Sequence, residues 1–364
     1  MRVVIDATPL LVRSAGVKNY LYHWIRGLQR AAGDAIATFP PLGELGALRH
    51  DKSIVGRGRT TAGLAALAAS NYMGLPVLDW FSHGANIFHA STLVRHSPRK
   101  TKLTATVYDM TSWIVPELHP AANLRADRSF LNLIRRADGL IAISECSRQD
   151  AIRIAGIRPE KIVTIYPGIA PGFFDPPAEE VARVRKQYKL ARPFILFLST
   201  IEPRKNLDTL FDAYGALSST LREEYELVIA GPVGWAAEST RARLASARYL
   251  GYVPEPDLAP LTAAASVFAY PSLYEGFGFP AAQAMAAGTP VITSAISSLP
   301  EITGDAAVLI DPKSPGELRN ALHRLLLSEE MRLDLAARGR ERAKAFRWET
   351  CARQSLEFFR KVAA

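Results

Sequence analysis

Short apolar runs alternate with longer helical patterns along the whole of this 364-residue chain. The runs are nearly continuous in Val, Ile, Leu and Phe, which is typical of strands covered on both faces. Strands separated by helices favour parallel sheets built from right-handed crossovers. The predicted strands are Val3–Asp6, Ile87–Ala90, Leu103–Val107, Gly139–Ile143, Ile162–Tyr166, Phe194–Ser199, Leu227–Ala230, Val267–Tyr270, Val291–Thr293 and Ala307–Ile310.

The length of the chain and one interrupted stretch predict two α/β domains. A chain of 364 residues is too long for one ordinary core. Residues 167–193 break the pattern with proline, glycine and then charge, so we place the linker there. We expect a doubly wound domain over residues 1–175, a second over 185–345, and a final amphipathic helix, 346–364, that returns towards the first domain. Helices are also predicted at Tyr20–Arg30, Leu207–Leu217, Pro280–Ala287 and Pro315–Leu327.

The composition indicates a soluble globular protein, at 48% hydrophobic and 22% charged residues. The sequence contains no apolar run long enough for a transmembrane span. The N-terminal apolar run is broken by Asp6 and lacks the pattern of a signal peptide, so we expect a cytoplasmic protein. Cys146 and Cys351 suggest neither a disulfide framework nor a metal site.

The net charge of +9 suits an anionic partner, such as a phosphate, nucleic acid or membrane surface. No nucleic-acid module accompanies the charge, so we expect no nucleic-acid partner. The basic residues are scattered, apart from clusters such as RHSPRKTK at 95–102. Peripheral contact with an anionic membrane at its inner face, and a merely solvated basic face, both stay open.

The stretch STIEPRKN, residues 199–206, follows one predicted strand and precedes a helix. Asn206 is a suitable N-cap, which puts Arg204 and Lys205 at the positive end of that helix. This placement is unfavourable unless an anion is present, and a phosphate would suit the helix N–H groups and both cations. The alternative is that both side chains point into water.

The stretch YEGFGFPAAQAMAAGTP, residues 274–290, has the same position after a predicted strand. Pro280 suits the first turn of a short helix, and Gly276 and Gly278 allow the backbone to approach a ligand closely. Glu275 could accept hydrogen bonds from the hydroxyls of a polyol such as a sugar. Its alternative is a carboxylate that balances the helix dipole.

The first half offers weaker candidates. Tyr108 and Asp109 follow a strand and would face a cleft, although Asp109 could simply cap the next turn and Tyr108 could be packing. Gly16, in the loop after the first strand, could admit a ligand. His89 and His119 are interpreted as structural. The sequence has no metal cluster, Gly-x-Ser-x-Gly elbow, Walker loop or tight Gly-x-Gly-x-x-Gly motif.

Three stretches together resemble a known family. EPRKN at 202–206, YEGFGFPAAQAMAAGTPV at 274–291 and SSLPEITGDAAVLIDP at 297–312 are similar to the retaining glycosyltransferases of family 4, the group 1 enzymes. The resemblance implies the GT-B fold, in which two Rossmann-like domains face a central cleft. EPRKN resembles the mannosyltransferase-type branch. The implied reaction moves a hexose, mannose from GDP-mannose, onto a polysaccharide or lipid-linked glycan, with no cofactor and no metal.

The resemblance also implies roles for individual residues. Arg204 and Lys205 would hold the diphosphate of the nucleotide-sugar and stabilise it as it leaves, because two cations and a helix N-terminus can replace a metal ion. Glu275 would bind hydroxyls of the donor sugar. The remaining implied ligand positions are the backbone around Phe277, Gly278 and Phe279 for sugar and phosphate, Val253 for the base, and Gly16 near the diphosphate and acceptor.

Two positions depart from the family pattern. Gln283 stands where the family has a second glutamate, eight residues after the first, that binds the ribose hydroxyls. An amide still accepts one hydrogen bond but loses charge-assisted strength, about 1–2 kcal/mol in a dry site. Tyr108 stands where a histidine commonly precedes Asp109, the other acceptor-side candidate. These departures keep two alternatives open: a non-catalytic binding partner on this fold, and a nucleotide-sugar epimerase or phosphorylase.

Overall fold

The chain forms parallel sheets flanked by helices, as the alternating pattern predicts. The computed structural model describes residues 1–14, 16–43 and 45–364, which contain two six-stranded sheets. All of the strand pairings within these residues are parallel. The strands are β1 Val3–Asp6, β2 Ile36–Phe39, β3 Ile87–Ala90, β4 Lys102–Val107, β5 Gly139–Ala142, β6 Ile162–Thr164, β7 Phe194–Leu198, β8 Glu226–Ala230, β9 Arg248–Gly251, β10 Val267–Tyr270, β11 Val291–Ser294 and β12 Ala307–Ile310.

The helices lie between the strands and at the end of the chain. They are α1 Gly16–Ala32, α2 Arg57–Met73, α3 Val77–Phe81, α4 Thr111–Ile114, α5 Ala121–Arg136, α6 Glu145–Ala155, α7 Ala178–Gln187, α8 Leu207–Gly215, α9 Ser219–Glu224, α10 Glu238–Arg243, α11 Glu255–Ala263, α12 Phe279–Ala286, α13 Leu299–Thr303, α14 Pro315–Leu327, α15 Glu329–Ala343 and α16 Trp348–Ala363.

Contacts divide the described residues into two compact units. The first unit is Met1–Gly168 together with Phe346–Ala364, and the second is Ile169–Ala345. Each unit contains one of the two sheets.

The sheet of the first unit has the strand order β2-β1-β3-β4-β5-β6. Strands β1, β3 and β5 are buried along their whole length, which explains why their sequences are apolar apart from Asp6 and His89. Helix α16 packs on α1, where Trp24 donates a hydrogen bond from Nε1 to Ser355 Oγ at 2.9 Å. The final helix therefore completes the core of the unit that begins the chain.

The sheet of the second unit has the order β12-β11-β10-β7-β8-β9. The chain runs outward from β7 to β9, then returns to the other side of β7 and continues outward from β10. Neighbouring β7 and β10 therefore flank the point where the strand order reverses. In parallel sheets, ligands bind beyond the carboxyl ends of the strands at such a point.

The structure contains elements that the sequence patterns do not predict. Strand β2 is short and mixed in composition, so it does not form a clear apolar run. The predicted linker 167–193 contains helix α7, whose charged residues obscure its few apolar ones. Asp257 on α11 accepts hydrogen bonds from Arg183 of α7 at 2.7 Å and from Tyr188, which follows α7, at 2.8 Å. These polar contacts anchor α7 to α11.

The described residues bear on two expectations, one about membrane spans and one about the two cysteines. In residues 1–14, 16–43 and 45–364, no helix is long and apolar enough to cross a membrane. Within the same ranges, no disulfide joins Cys146 to Cys351, and Cys351 is a buried thiol.

Candidate active site

The two motif loops of the second unit meet at the reversal point of its sheet. A 3₁₀ turn, Pro203–Lys205, follows β7, and the loop that contains Glu275 follows β10. Because β7 and β10 are parallel neighbours, their carboxyl ends lie at the same edge of the sheet. The topology thus brings Arg204, Lys205 and Glu275 together from positions about seventy residues apart in sequence.

These three side chains form a buried ionic cluster. Lys205 Nζ lies 2.6 Å from Glu275 Oε1, and Arg204 Nη1 lies 3.1 Å from Glu275 Oε2. Arg204 also binds Glu202, with Nη2 at 2.8 Å from Oε1. The alternative that both cations point into water is therefore wrong, because only 13% of the Arg204 side chain and 9% of the Lys205 side chain are exposed.

One oxygen of Glu275 is surrounded by donors. Oε1 accepts from Lys205, from the Tyr270 hydroxyl at 2.7 Å and from the Ser272 hydroxyl at 2.6 Å. Burial acts to raise the pKa of Glu275, but the charges of Arg204 and Lys205 outweigh it and lower the pKa from 4.5 to about 2. The carboxylate is therefore ionised at neutral pH, and Oε2 is its more open oxygen.

The site already contains the anions that its cations require. Burial, and then the charge of Arg204, lower the pKa of Lys205, while Glu275 and Glu202 act in the opposite direction. Two cations face two carboxylates, so the cluster has no net charge. An incoming phosphate would compete with Glu202 and Glu275 for Arg204 and Lys205.

Backbone hydrogen bonds hold the two loops in register. Leu273 N donates to Arg204 O at 2.8 Å, which ties the loop after β10 to the 3₁₀ turn after β7. Glu275 N donates to Ser297 Oγ at 3.0 Å, and Ser298 Oγ donates to Glu275 O at 3.0 Å. The charged groups are thus positioned before any ligand binds.

Asn206 plays a different part from the predicted cap. It precedes α8 as expected, but it adopts the left-handed conformation, with φ 57°, and makes no side-chain capping bond. Its amide instead donates to Pro271 O at 3.0 Å and to Pro312 O at 2.7 Å. The asparagine therefore joins the loops after β10 and β12 to the Arg204–Lys205 turn.

The predicted ligand backbone lies at the start of α12. Gly278 precedes this helix with φ 88°, a conformation that favours glycine. Phe277 is buried, and its ring centroid lies 4.9 Å from that of Phe279. Gln283 lies on the same helix and is partly exposed. Val253 lies two residues beyond β9 and is buried, so its base-binding role would depend on its backbone.

The first unit carries a second polar cluster at its own reversal point, between β1 and β3. Asp6, the last residue of β1, is fully buried and accepts hydrogen bonds from Thr8 N at 3.1 Å and from Ser91 Oγ. Burial raises the pKa of Asp6 from 3.8 to about 6, against the lowering effect of these hydrogen bonds. Burial and then the charge of Asp6 raise the pKa of Tyr108 above its usual value.

The other candidates of the first unit have local roles. Asp109 Oδ1 accepts from Thr111 N at 3.0 Å, so it closes the turn that leads into α4. Tyr108 is half-buried and packs edge-on against Tyr20, with centroids 5.3 Å apart. His89 is buried between two threonine hydroxyls, each at 3.0 Å, and burial lowers its pKa to about 3. The structural interpretation of His89 is therefore confirmed.

Gly16 is the first residue of α1 and is exposed. A Cβ atom there would meet no heavy atom of the described residues within 4 Å, so their packing does not require glycine at this position.

Three residues that contact the ionic cluster, Glu202, Tyr270 and Ser272, have no role in the predictions from sequence. Glu202 lies inside the EPRKN motif and could have been predicted from the sequence, because a carboxylate two residues before an arginine can pair with it. Tyr270 and Ser272 could not be identified in this way, because their neighbours in sequence do not reveal that Lys205 lies beside them.

Among the described residues there is no group of three or more His, Cys, Asp or Glu side chains that could hold a metal ion.

Comparisons with known proteins agree with the motifs. A family model described as glycosyl transferases group 1 matches residues 179–342, and one described as glycosyltransferase family 4 matches residues 14–173. The O-antigen chain mannosyltransferase B of Escherichia coli is 33% identical over 290 residues, which cover 78% of this chain and 74% of that protein.

Solved structures show the same fold at low sequence identity. The sucrose-phosphate synthase of Thermosynechococcus elongatus has a TM-score of 0.73 and 21% identity, covering 100% of this chain and 99% of that one. Anabaena HepE in complex with UDP and glucose has a TM-score of 0.72 and 18% identity, covering 99% and 100%. The chain therefore belongs to the group 1, family 4 glycosyltransferases, enzymes of the GT-B fold, and resembles their mannosyltransferase branch.

Proposed function

We propose that the chain is a retaining, metal-independent mannosyltransferase that moves mannose from GDP-mannose onto a polysaccharide or lipid-linked glycan acceptor. The observation that carries the proposal is the buried cluster of Arg204, Lys205 and Glu275 at the reversal point of the second sheet. The mannosyltransferase name of the Escherichia coli relative supports the choice of sugar.

The cations provide the chemistry for the leaving group. In the proposed reaction, the diphosphate exchanges with Glu202 and Glu275 as a partner of Arg204 and Lys205. The guanidinium fork and the ammonium then neutralise the charge that develops on the departing phosphate oxygen. Both cations are held before the donor binds, so little reorganisation is needed during the reaction. No metal ion is required for this neutralisation.

The Glu275 carboxylate and the Gln283 amide would recognise the sugar and the ribose of the donor. Oε2 of Glu275, the oxygen with fewer partners, is suited to accept a hydrogen bond from a donor-sugar hydroxyl. The backbone around Phe277, Gly278 and Phe279 is suited to the sugar and phosphate, the backbone of Val253 to the base, and Gln283 to the ribose. Retention of configuration would follow from attack on the same face, with the leaving phosphate accepting the proton of the acceptor hydroxyl.

The acceptor side belongs to the first unit in this proposal. Gly16 would lie near the diphosphate and acceptor, and Tyr108 and Asp109 are the acceptor-side candidates. Asp109 already binds Thr111, so only its second oxygen would be available to an acceptor hydroxyl. A lipid-linked acceptor would bring the enzyme to the inner face of a membrane.

A panel of donors tests the sugar and the base. Purified protein is incubated with GDP-mannose, GDP-glucose, UDP-glucose and UDP-galactose, with a mannan acceptor or water, and release of the nucleoside diphosphate is measured. We expect turnover with GDP-mannose to exceed the others by at least about tenfold, a difference of roughly 1.4 kcal/mol in transition-state binding. Preference for UDP-glucose, the base and sugar associated with HepE, would replace the proposed donor.

The same assay tests the metal and the stereochemistry. Turnover should be unchanged after dialysis against EDTA, and loss of activity that Mg²⁺ restores would contradict metal independence. NMR of the first product should show an α-linked sugar from the α-linked donor, and a β-linked product would contradict retention.

Gln283 provides a separate test of the ribose position. Gln283→Glu restores a charged acceptor, so calorimetry should show GDP binding about 5- to 30-fold more tightly. Gln283→Ala is the matched control and should bind GDP more weakly than the wild type. An unchanged affinity in both variants would remove Gln283 from the proposed nucleotide site.

A further inference from the structure

Large apolar side chains are exposed at the ends of two helices in the first unit. Tyr72 and Met73 close α2 and are 70% and 71% exposed, and Trp80 on α3 is 68% exposed. Leu75 and Phe81 are also exposed. Such side chains, clustered within ten residues and flanked by charge, mark an interaction surface rather than scattered surface residues.

A basic segment, residues 95–100, lies against both helix ends. Arg95 N donates to Asn71 Oδ1 at 2.9 Å, and Arg99 N donates to Asp79 Oδ1 at 2.8 Å. The Arg95 guanidinium lies over the Tyr72 ring, 4.6 Å from its centroid. Exposed cations and exposed apolar groups therefore share one area, which we name the α2–α3 surface and define as residues 71–81 and 95–100.

The charge of this surface is positive. Residues 71–81 and 95–100 contain three cations, Arg95, Arg99 and Lys100, and a single carboxylate, Asp79, which gives a net charge of +2. The Asp79 carboxylate accepts a hydrogen bond from the backbone N–H of Arg99. Arg95, Arg99 and Lys100 are all exposed.

We propose that the α2–α3 surface docks on an anionic lipid bilayer. Trp and Tyr side chains favour the interface between acyl chains and headgroups, while Arg and Lys pair with the phosphates of anionic lipids. A second copy of the chain is a poorer partner, because two such surfaces would bring like charges together. Nucleic acid would match the charge but would leave Met73 and Trp80 without an apolar environment. This inference does not depend on the proposed donor or reaction.

Vesicle flotation with the full chain tests the proposal. Vesicles of phosphatidylcholine alone are compared with vesicles containing roughly one third phosphatidylglycerol, at low and at 0.5 M salt. We expect binding to the anionic vesicles that weakens with salt, and little binding to the neutral ones. Absence of binding to the anionic vesicles, or equal binding to both kinds, would overturn the proposal.

Matched variants locate the binding surface. Neutralising Arg95, Arg99 and Lys100 to Gln should weaken binding about fivefold for each cation and roughly a hundredfold together. The control neutralises Lys313, Arg319 and Arg324, exposed cations of the second unit, and gives the same net charge. An equal loss in the control would show that net charge, and not this surface, carries the binding.

Apolar variants test the second component of the surface. Met73→Ser with Trp80→Ser should weaken binding at least about tenfold, whereas Leu327→Ser with Leu333→Ser, each 64% exposed in the second unit, should not. Thermal melting checks that all variants fold. Sedimentation provides the other decisive measurement: a wild-type dimer that Trp80→Ser converts to a monomer would assign the surface to a second copy and overturn the lipid proposal.

Discussion

Each cation of the candidate site is paired with a carboxylate that has almost no contact with water. Such a pair contributes little net stability when complete, because desolvation offsets the attraction, but removal of one partner leaves a buried charge uncompensated. Substitution of a single residue of the cluster should therefore have a measurable effect on the free energy of unfolding. The stabilities of variants at Lys205 and Glu275 should be coupled rather than independent.

Removal of the Lys205 ammonium should destabilise the fold. Removal of Lys205 and Glu275 together should lower the free energy of unfolding by less than the sum of the two single effects. We expect Lys205→Met to lower the free energy of unfolding by about 3 kcal/mol, because Glu275 keeps only Arg204 as a nearby cation. The double variant with Glu275→Gln should recover at least about 1 kcal/mol relative to additivity in urea denaturation. Additive effects would contradict the ionic coupling, and Lys313→Met, an exposed lysine, is the control.

Asp6 gives the protein a measurable pH dependence. Its pKa is raised by burial to about 6 in the folded state, so its contribution to stability is complete below about pH 4 and is lost as the pH rises through 6. Glu275 has the opposite sign, since its lowered pKa adds stability above about pH 4.5 that disappears towards pH 2. Buried His89 also has the opposite sign, and it loses stability as the pH falls below about 6.5.

A comparison with Asp6→Asn isolates the Asp6 contribution from that of His89. Between pH 7 and pH 5, the free energy of unfolding of the wild type should change by about 1.4 kcal/mol more in the stabilising direction than that of the variant. Urea denaturation at the two pH values measures the difference. Equal changes in both proteins would show that the folded-state pKa of Asp6 is not raised.

At the level of elements, two helices begin with glycines that have different physical roles. Gly278 precedes α12 with φ 88°, and a Cβ atom there would come within 2.6 Å of Leu299 Cδ2. Gly16 begins α1, and the described residues leave the space around it open. The fold of the chain requires Gly278, whereas the described residues do not require a glycine at position 16.

Alanine substitutions separate these roles. Gly278→Ala should destabilise the protein by about 2 kcal/mol or more, from strain at positive φ and from the clash with Leu299. Gly16→Ala should leave the thermal midpoint within a few degrees of the wild type, yet lower transferase activity by at least about tenfold if the donor diphosphate approaches there. Full activity in Gly16→Ala would contradict the proposed role of Gly16.

At the level of the whole molecule, the chain leaves the first unit after Gly168 and returns to it at Phe346. Helix α16 then covers α1, with Ser355 bonded to Trp24, and its Phe358 ring packs beside Gly139 at the start of β5. The first unit is therefore complete only when the last residues of the chain are present.

Truncation tests this dependence. Removal of residues 346–364 should expose the apolar face of α1 and greatly lower the protection of first-unit amides in hydrogen exchange, while the amides of β7, β8 and β10 stay protected. The control removes only Ala363 and Ala364 and should match the full chain. Unchanged protection of β1 and β3 in the long truncation would contradict the structural role of α16.

The parallel α/β class, most strands and the two motif loops could be predicted from the sequence, because continuous apolar runs and loop residues such as Gly278 and Pro280 are local signals. The sequence did not predict β2 or α7, whose short or charged segments are defined by their neighbours. The pairing of Glu275 with Lys205 and Arg204, and the contacts of Tyr270 and Glu202 with them, are visible only in the folded chain. The strand order that makes β10 a neighbour of β7 is a long-range property, and no local pattern specifies it.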